Sequence, residues 1–413
     1  MNHRLNRRTF LAETAAAWWA GASARAEEMR ATSRIRALTS GPKHHFYGYY
    51  GVSPWDRAMR YHLALETDFH NRPPTAADKA RVGLADARTG AFAACAETAA
   101  FNFQQGSMLH WIDAGRGEEF TFNDWEGDRL VSRAVHPETK ARRTLEFAIE
   151  AVSPREPIAL GLNYGRMSLC RPVVGYALPK PPGELVPYPE DDGLFRVDLA
   201  TGKGRLVLSI KEVIAALPAD ETRIGPAYFN HIDFSTDGGR VLFLCRIKKP
   251  DGGFLSSLWT VDPDGKNPAC QIDYRHKVSH FVWLAPRHLL ITTDVLGRMG
   301  FVEFTDGQKD FKAVGAGVLP GDGHPALSPD RRWIACDSYA GGRDPERELM
   351  LFRMADGRKV SLGRFASPEP YSGDIRCDLH PRWSPDARLV SFDSIHEGLR
   401  QIYLADVADI VSA

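Results

Sequence analysis

Charge of one sign is what this sequence lacks first: 52 Lys and Arg residues are matched by 52 Asp and Glu along 413 residues. Without a net field nothing steers the molecule toward nucleic acid or an anionic membrane, so recognition of any anion has to be local. Cysteine is sparse as well. Cys95, Cys170, Cys245, Cys270, Cys336 and Cys377 are scattered without the spacing of a disulfide scaffold, and Cys245 and Cys336 fall in apolar strand-like runs where a thiol acts as a small hydrophobe. Helical periodicity is scarce, with Lys211 to Ala219 the best short candidate. No apolar run is long enough for a permanent bilayer span, and no Gly-x-Ser-x-Gly elbow is present.

The amino terminus reads as an address. Asn6-Arg7-Arg8-Thr9-Phe10-Leu11 is a twin-arginine signal, followed by a modestly apolar run, Ala12 to Ala22, that contains Glu13. Small residues at Ala22-Ser23-Ala24 and Ala24-Arg25-Ala26 offer cleavage sites. The expectation is a signal peptide over 1–26, engagement of the twin-arginine translocon, and a periplasmic or secreted mature protein. An uncleaved amphipathic helix is the alternative.

What is abundant is a repeat. Turns such as Ser328-Pro329-Asp330 and Ser384-Pro385-Asp386 precede β-rich runs, Trp333 to Cys336 and Leu389 to Phe392. A second apolar strand follows, as in Leu349 to Arg353 or Gln401 to Val407, then a turn of the Asp356-Gly357 kind. Units recur every 40 to 50 residues or so, the spacing of propeller blades. They fall at about 46–98, 99–146, 147–210, 228–276, 277–318, 320–366 and 376–413. The last lacks a fourth strand, and the strand-like run Ser33 to Ser40 is placed to supply it and close the ring. The prediction is an all-β, seven-bladed β-propeller over 27–413 as one domain, expected to be monomeric. With 43% hydrophobic residues the chain can bury so large a core.

Four histidines share one register in this repeat. His231, His324 and His380 each stand four residues ahead of the turn-opening Ser235, Ser328 and Ser384, and His280 occupies the same place in a degenerate copy. Equal register in blades means equal depth around one axis, so the four side chains should converge. Cys377, three residues before His380, can reach the same ion if the strand entrance is bent. His280, His324, His380 and Cys377 are therefore candidate metal ligands, with zinc suited to mixed nitrogen and sulfur donors and manganese the alternative. Hydrogen bonding between blades, or a structural zinc, would also account for them.

The segment Arg376-Cys377-Asp378-Leu379-His380-Pro381-Arg382-Trp383-Ser384-Pro385-Asp386, with Phe392-Asp393-Ser394 and Gln401-Ile402-Tyr403 behind it, resembles the last blade of the oligogalacturonate lyases. Those are seven-bladed propellers that bind a divalent metal through histidines, including a Gln-x-x-His-Pro-His motif. Cys377 stands where that motif has Gln, and Arg382 where it has the second His. The resemblance carries over His380 and implies His324 as its partner. From His44-His45-Phe46-Tyr47-Gly48-Tyr49-Tyr50 through Asn102-Phe103-Gln104-Gln105-Gly106 the chain is similar to the propeller ulvan lyases, which rely on His, Tyr and Arg side chains in a canyon across the propeller face.

A uronate lyase must neutralise a carboxylate, remove the proton α to it and protonate the leaving glycosidic oxygen. Arginine or a divalent cation suits the first task, histidine and tyrosine the others. His231 is the candidate base, with His280 exchangeable for it. The long insertion from Tyr164 to Tyr176 offers Arg171 as carboxylate binder and Tyr176 as acid or base. Gln105, Asn123, Arg129, Arg166 and Arg382 are further candidates for binding an acidic polysaccharide or oligosaccharide. Two other classes stand beside this one. A periplasmic scaffold propeller like that of the Tol system uses the same Ser-Pro-Asp turns, and a glycoside hydrolase would need two opposed carboxylates, of which only Asp233 is evident.

Overall fold

The computed structural model describes residues 34–115, 117–181, 183–341 and 345–412. The predicted export signal, 1–26, lies outside them.

The Ser-x-Asp turns explain why the repeat folds as it does. Ser328 Oγ donates to Asp330 Oδ1 at 2.6 Å and accepts from the Trp333 N–H at 3.0 Å. Ser384 does the same with Asp386 at 2.6 Å and Leu389 at 2.9 Å, and Ser235 with Asp237 at 2.8 Å and Arg240 at 2.9 Å. A short side chain thus satisfies the backbone where the chain reverses, and a strand follows each time.

Seven four-stranded antiparallel sheets result. Blade one runs from His44–Phe46 to Phe92–Thr98, blade two from His110–Asp113 to Arg142–Leu145 and blade three from Ala151–Val152 to Gly204–Ser209. Blade four runs from Ala227–Phe234 to Ala269–Ile272, blade five from Val278–Ala285 to Lys312–Val314 and blade six from Ala326–Leu327 to Lys359–Ala366. Blade seven holds Arg382–Trp383, Leu389–Ser394 and Gln401–Asp406, and its outer strand is Ile35–Ala37. Ile35, Arg36 and Ala37 pair with Ala405, Leu404 and Tyr403, so the amino-terminal strand closes the ring and covers that sheet edge.

Because each sheet packs between two others, its middle strands are buried on both faces. Val241–Lys248 and Trp333–Asp337 accordingly read as nearly continuous apolar runs. The first strands of blades three to seven contact one another in succession. The blade-three insertion contributes a helix, Tyr164–Cys170, capped by Asn163 Oδ1 on the Arg166 N–H at 3.0 Å. The helix expected near 211 forms as Ile210–Ala215 behind a Ser209/Glu212 capping box. Its continuation is a separate turn, Ala219–Thr222. Among the described residues no helix is long and apolar enough to cross a membrane.

Candidate active site

The four register-matched histidines come together. His231, His280, His324 and His380 line one cavity of about 420 Å³ on the face where the first strands begin. Local backbone irregularity aims them there. His231 is the extra residue of a bulge between Asn230 and Ile232, and the pairing of blade five slips between Val278 and Phe281, around His280. His231 and His380 also have left-handed backbones, φ 55° and 48°. For residues with a Cβ that costs of order 1–3 kcal/mol and is found where function demands a fixed direction.

His324 and His380 are the tightest pair. Their rings lie 4.2 Å apart at 90°, with Nε2 to Nε2 at 3.2 Å. Asp337 organises both: it accepts the His324 backbone N–H and ring Nδ1–H at 2.8 Å each, and the His380 backbone N–H at 3.0 Å. Burial opposes a charge on His324, but Asp337, with Asp378 and Asp322, outweighs it and raises that pKa. Burial, then the charges of His324, Arg400 and Arg382, holds His380 well below its ordinary value. The His280 ring lies 4.1 Å from that of His324, tilted at 54°, and its Nδ1 lies 3.0 Å from Asp322 Oδ1. The Tyr339 hydroxyl reaches His324 Nε2 at 3.1 Å and His280 Nε2 at 3.4 Å.

These donors fit a cation. His324, Asp378 and His380 offer ligand atoms all within 4.8 Å of one another. With His324 Nδ1 committed to Asp337, two Nε2 atoms face each other, which requires a shared proton or cation. Nitrogens bound to one tetrahedral ion at about 2.0–2.1 Å lie roughly 3.4 Å apart. The carboxylate behind His324 is the partner a ligating imidazole usually has.

On the opposite wall, His231 Nδ1 lies 2.8 Å from the Tyr49 hydroxyl, 3.5 Å from Gln105 Nε2 and 3.9 Å from buried Glu150. Burial, then Arg246, His280 and Arg171, keeps His231 neutral, its pKa well below the usual value. Arg171 and Arg246 each stack on the ring of Phe254 at 4.7 Å. Buried Arg246 Nη1 has no hydrogen-bond partner among the described residues. Burial, with Arg246 and Arg376 as like charges, pulls Arg171 down to about 10. Two cations with no acid paired to either among the described residues make a place for an anion.

The structure places other predicted residues elsewhere. Cys377 does not join the donor group: its thiol turns to its neighbour Asp378 O at 4.0 Å, and Asp378 takes the position expected of it. Tyr176 is fully buried, stacked on Tyr164 at 4.3 Å and bonded by Asn123 Nδ2 at 3.2 Å, away from the cavity. Asn123 also holds the Ile149 carbonyl at 2.9 Å and so ties blade two to blade three. Arg382 is completely buried against Asp393 at 2.9 Å. Arg129 and Arg166 line a separate groove, and Arg166 is spent on the carbonyls of Ala227, Val186 and Pro187. Gln105, Arg171 and the four histidines do line the cavity.

Tyr49, Tyr50, Arg246, Tyr339 and Asp337 were not singled out by the sequence reasoning. A signal for Asp337 exists: it follows the turn residue Asp330 by the interval that separates Asp393 from Asp386, and both aspartates bond backbone of the next blade.

Comparison with solved structures finds the fold in an oligogalacturonate lyase from Vibrio parahaemolyticus, with TM-score 0.60 and 15% identity over 90% of this chain and 93% of that one. An oligogalacturonate lyase in complex with manganese is similar at TM-score 0.60 and 15% identity, over 92% and 94%. A TolB from Acinetobacter baumannii is similar at TM-score 0.40 and 13% identity, over 80% and 78%. No family description and no curated protein matches the sequence. At these identities the likeness establishes the seven-bladed propeller fold.

Proposed function

We propose that the protein is a lyase that cleaves uronate-containing oligosaccharides or polysaccharides by β-elimination. The observation that carries this reading is Arg171 and Arg246, which have no acidic partner among the described residues, facing four converging histidines in one cavity. The guanidinium groups take the uronate carboxylate, which lowers the barrier to removing the α-proton. Neutral His231 accepts that proton at Nε2 while Tyr49 holds Nδ1 at 2.8 Å. Tyr339, kept protonated by burial, returns a proton to the leaving oxygen.

His324, His380 and Asp378, with His280 beside them, would hold a divalent cation, which when bound would supply a second positive charge for the carboxylate. The group contains no thiolate, so the sulfur argument for zinc falls away, although two imidazoles and a carboxylate can also hold zinc. The carboxylate suits manganese, the ion named with one of the similar structures, and manganese is the ion proposed, with zinc the alternative. Export through the twin-arginine pathway to the periplasm or medium remains part of the proposal.

A panel of uronate glycans tests the reading through two signals followed together. A lyase raises both near-ultraviolet absorbance, from the unsaturated uronate, and reducing ends. A hydrolase raises reducing ends alone, and a binding scaffold raises neither.

A further inference from the structure

Away from this cavity, on the outer rim between blades one and two, the Lys140 ammonium nitrogen lies 2.8 Å from the Cys95 sulfur. That is short even for an N–H···O bond, which averages about 2.9–3.0 Å, and sulfur is the larger atom. We infer that Cys95 and Lys140 form a reducible covalent bridge through a single oxygen atom, a staple between the two blades.

The surroundings hold the two side chains for it. Cys95 lies on the last strand of blade one, Phe92–Thr98, and Lys140 on the turn between Arg129–Val135 and Arg142–Leu145 of blade two. Lys140 has a left-handed backbone, φ 61°, an arrangement uncommon for a residue with a long side chain. Its Nζ is also tied to the Pro137 carbonyl at 2.7 Å, so little freedom is left to lose. Arg142 Nη2 grips the Cys95 carbonyl at 2.8 Å across the same seam. The thiol proton points to the Ala93 carbonyl at 3.6 Å, leaving sulfur lone pairs toward the lysine. Cys95 borders an open depression lined also by Lys79, Arg81, Glu97 and Arg142, which dissolved dioxygen can enter.

The chemistry balances with dioxygen as oxidant. One S–H and one N–H of the free amine break, as does the O–O bond. One S–O and one O–N bond form, and the second oxygen leaves as water with the two hydrogens. Sulfur and nitrogen each lose two electrons, and dioxygen gains four. Two equivalents of dithiothreitol reverse the change, returning thiol, amine and water.

Intact mass of the protein purified in air without reductant, before and after dithiothreitol, tests this. The bridge predicts a loss of about 14 Da on reduction, one oxygen removed and two hydrogens restored. Before reduction Cys95 should resist alkylation, and digestion should yield its peptide joined to that of Lys140. Cys95→Ser, a near-isosteric change at a buried position, and Lys140→Arg, a change at an exposed one, should both lack the shift. Full alkylation of Cys95 without reductant and no mass change would overturn the proposal. So would a shift that survives in Lys140→Arg, or a mass about 2 Da below the reduced protein, which marks a direct S–N bond instead.

Discussion

The backbone N–H of His380 is bonded at 3.0 Å to the side chain of Asp337, across the seam between blades six and seven. The same carboxylate holds the ring of His324 at 2.8 Å, so one residue sets the spacing of the two imidazoles proposed to share a cation.

Asp337→Asn keeps the size of that side chain but removes its charge and one acceptor. It should weaken divalent-ion affinity about 10- to 100-fold, the usual effect of losing such a supporting carboxylate. Calorimetric titration of manganese into the chelator-stripped variant measures it. Unchanged affinity would separate Asp337 from the cation site.

His380→Ala should lose both bound metal and activity. Elemental analysis after dialysis is the check, and full metal content would remove His380 from the ligand set.

Arg246→Ala removes a buried guanidinium whose Nη1 has no partner among the described residues. A charge-assisted hydrogen bond is worth about 1.5–3 kcal/mol, so kcat/KM on a uronate substrate should fall roughly 10- to 150-fold. A neutral methyl-ester substrate should be much less affected, and equal losses on both would argue against carboxylate binding.

Asp393 accepts from Arg382 at 2.9 Å, Arg400 at 2.7 Å and the Gly48 backbone at 3.0 Å, with all three side chains of the charge cluster buried. Asp393→Ala would leave two guanidinium groups unpaired in the core. A loss of about 3–5 kcal/mol is expected, seen as a lower urea midpoint. Because Gly48 leads directly into Tyr49 and Tyr50, the cavity should loosen with it.

Burial pushes the Glu150 carboxyl from 4.5 up to about 8. Between those values the unfolded chain has lost a proton that the folded protein keeps, so the native state binds more protons and stability falls as pH rises. That contribution is fully present below the unfolded pKa and lost through about 8. Glu150→Gln cannot ionise, so its urea midpoint should change less between about pH 5 and pH 8.5 than that of the wild type. Parallel profiles would contradict the assignment.

The ring and its closure were legible because a turn device recurs at blade-like intervals and because the last repeat offers three strands while Ser33 to Ser40 offers a fourth. The convergence of His231, His280, His324 and His380 was legible for the same reason, since register becomes depth in a propeller. What register cannot show is which way a side chain turns. Arg382 is only two residues from His380, and strand alternation alone would put both on one face, but His380 stands before the strand with a left-handed backbone, and Arg382 turns into the core toward Asp393. Cys377 and Asp378 are adjacent, and a one-residue difference decides which reaches the histidines. Tyr176 misled because insertion length suggested an overhang, whereas the helix Tyr164–Cys170 folds the segment back onto Tyr164. Tyr49 and Tyr50 come from the first blade to histidines of the fourth to seventh, a contact across the axis that no local pattern encodes.

The most direct test strips the protein with a chelator, adds back manganese, and follows the absorbance of unsaturated uronate at each stage. Loss of β-elimination on stripping, recovery with manganese, and no recovery in His324→Ala is the result predicted. Elimination that proceeds undiminished without metal, or product formed by hydrolysis alone, would contradict a cation-assisted lyase at this site.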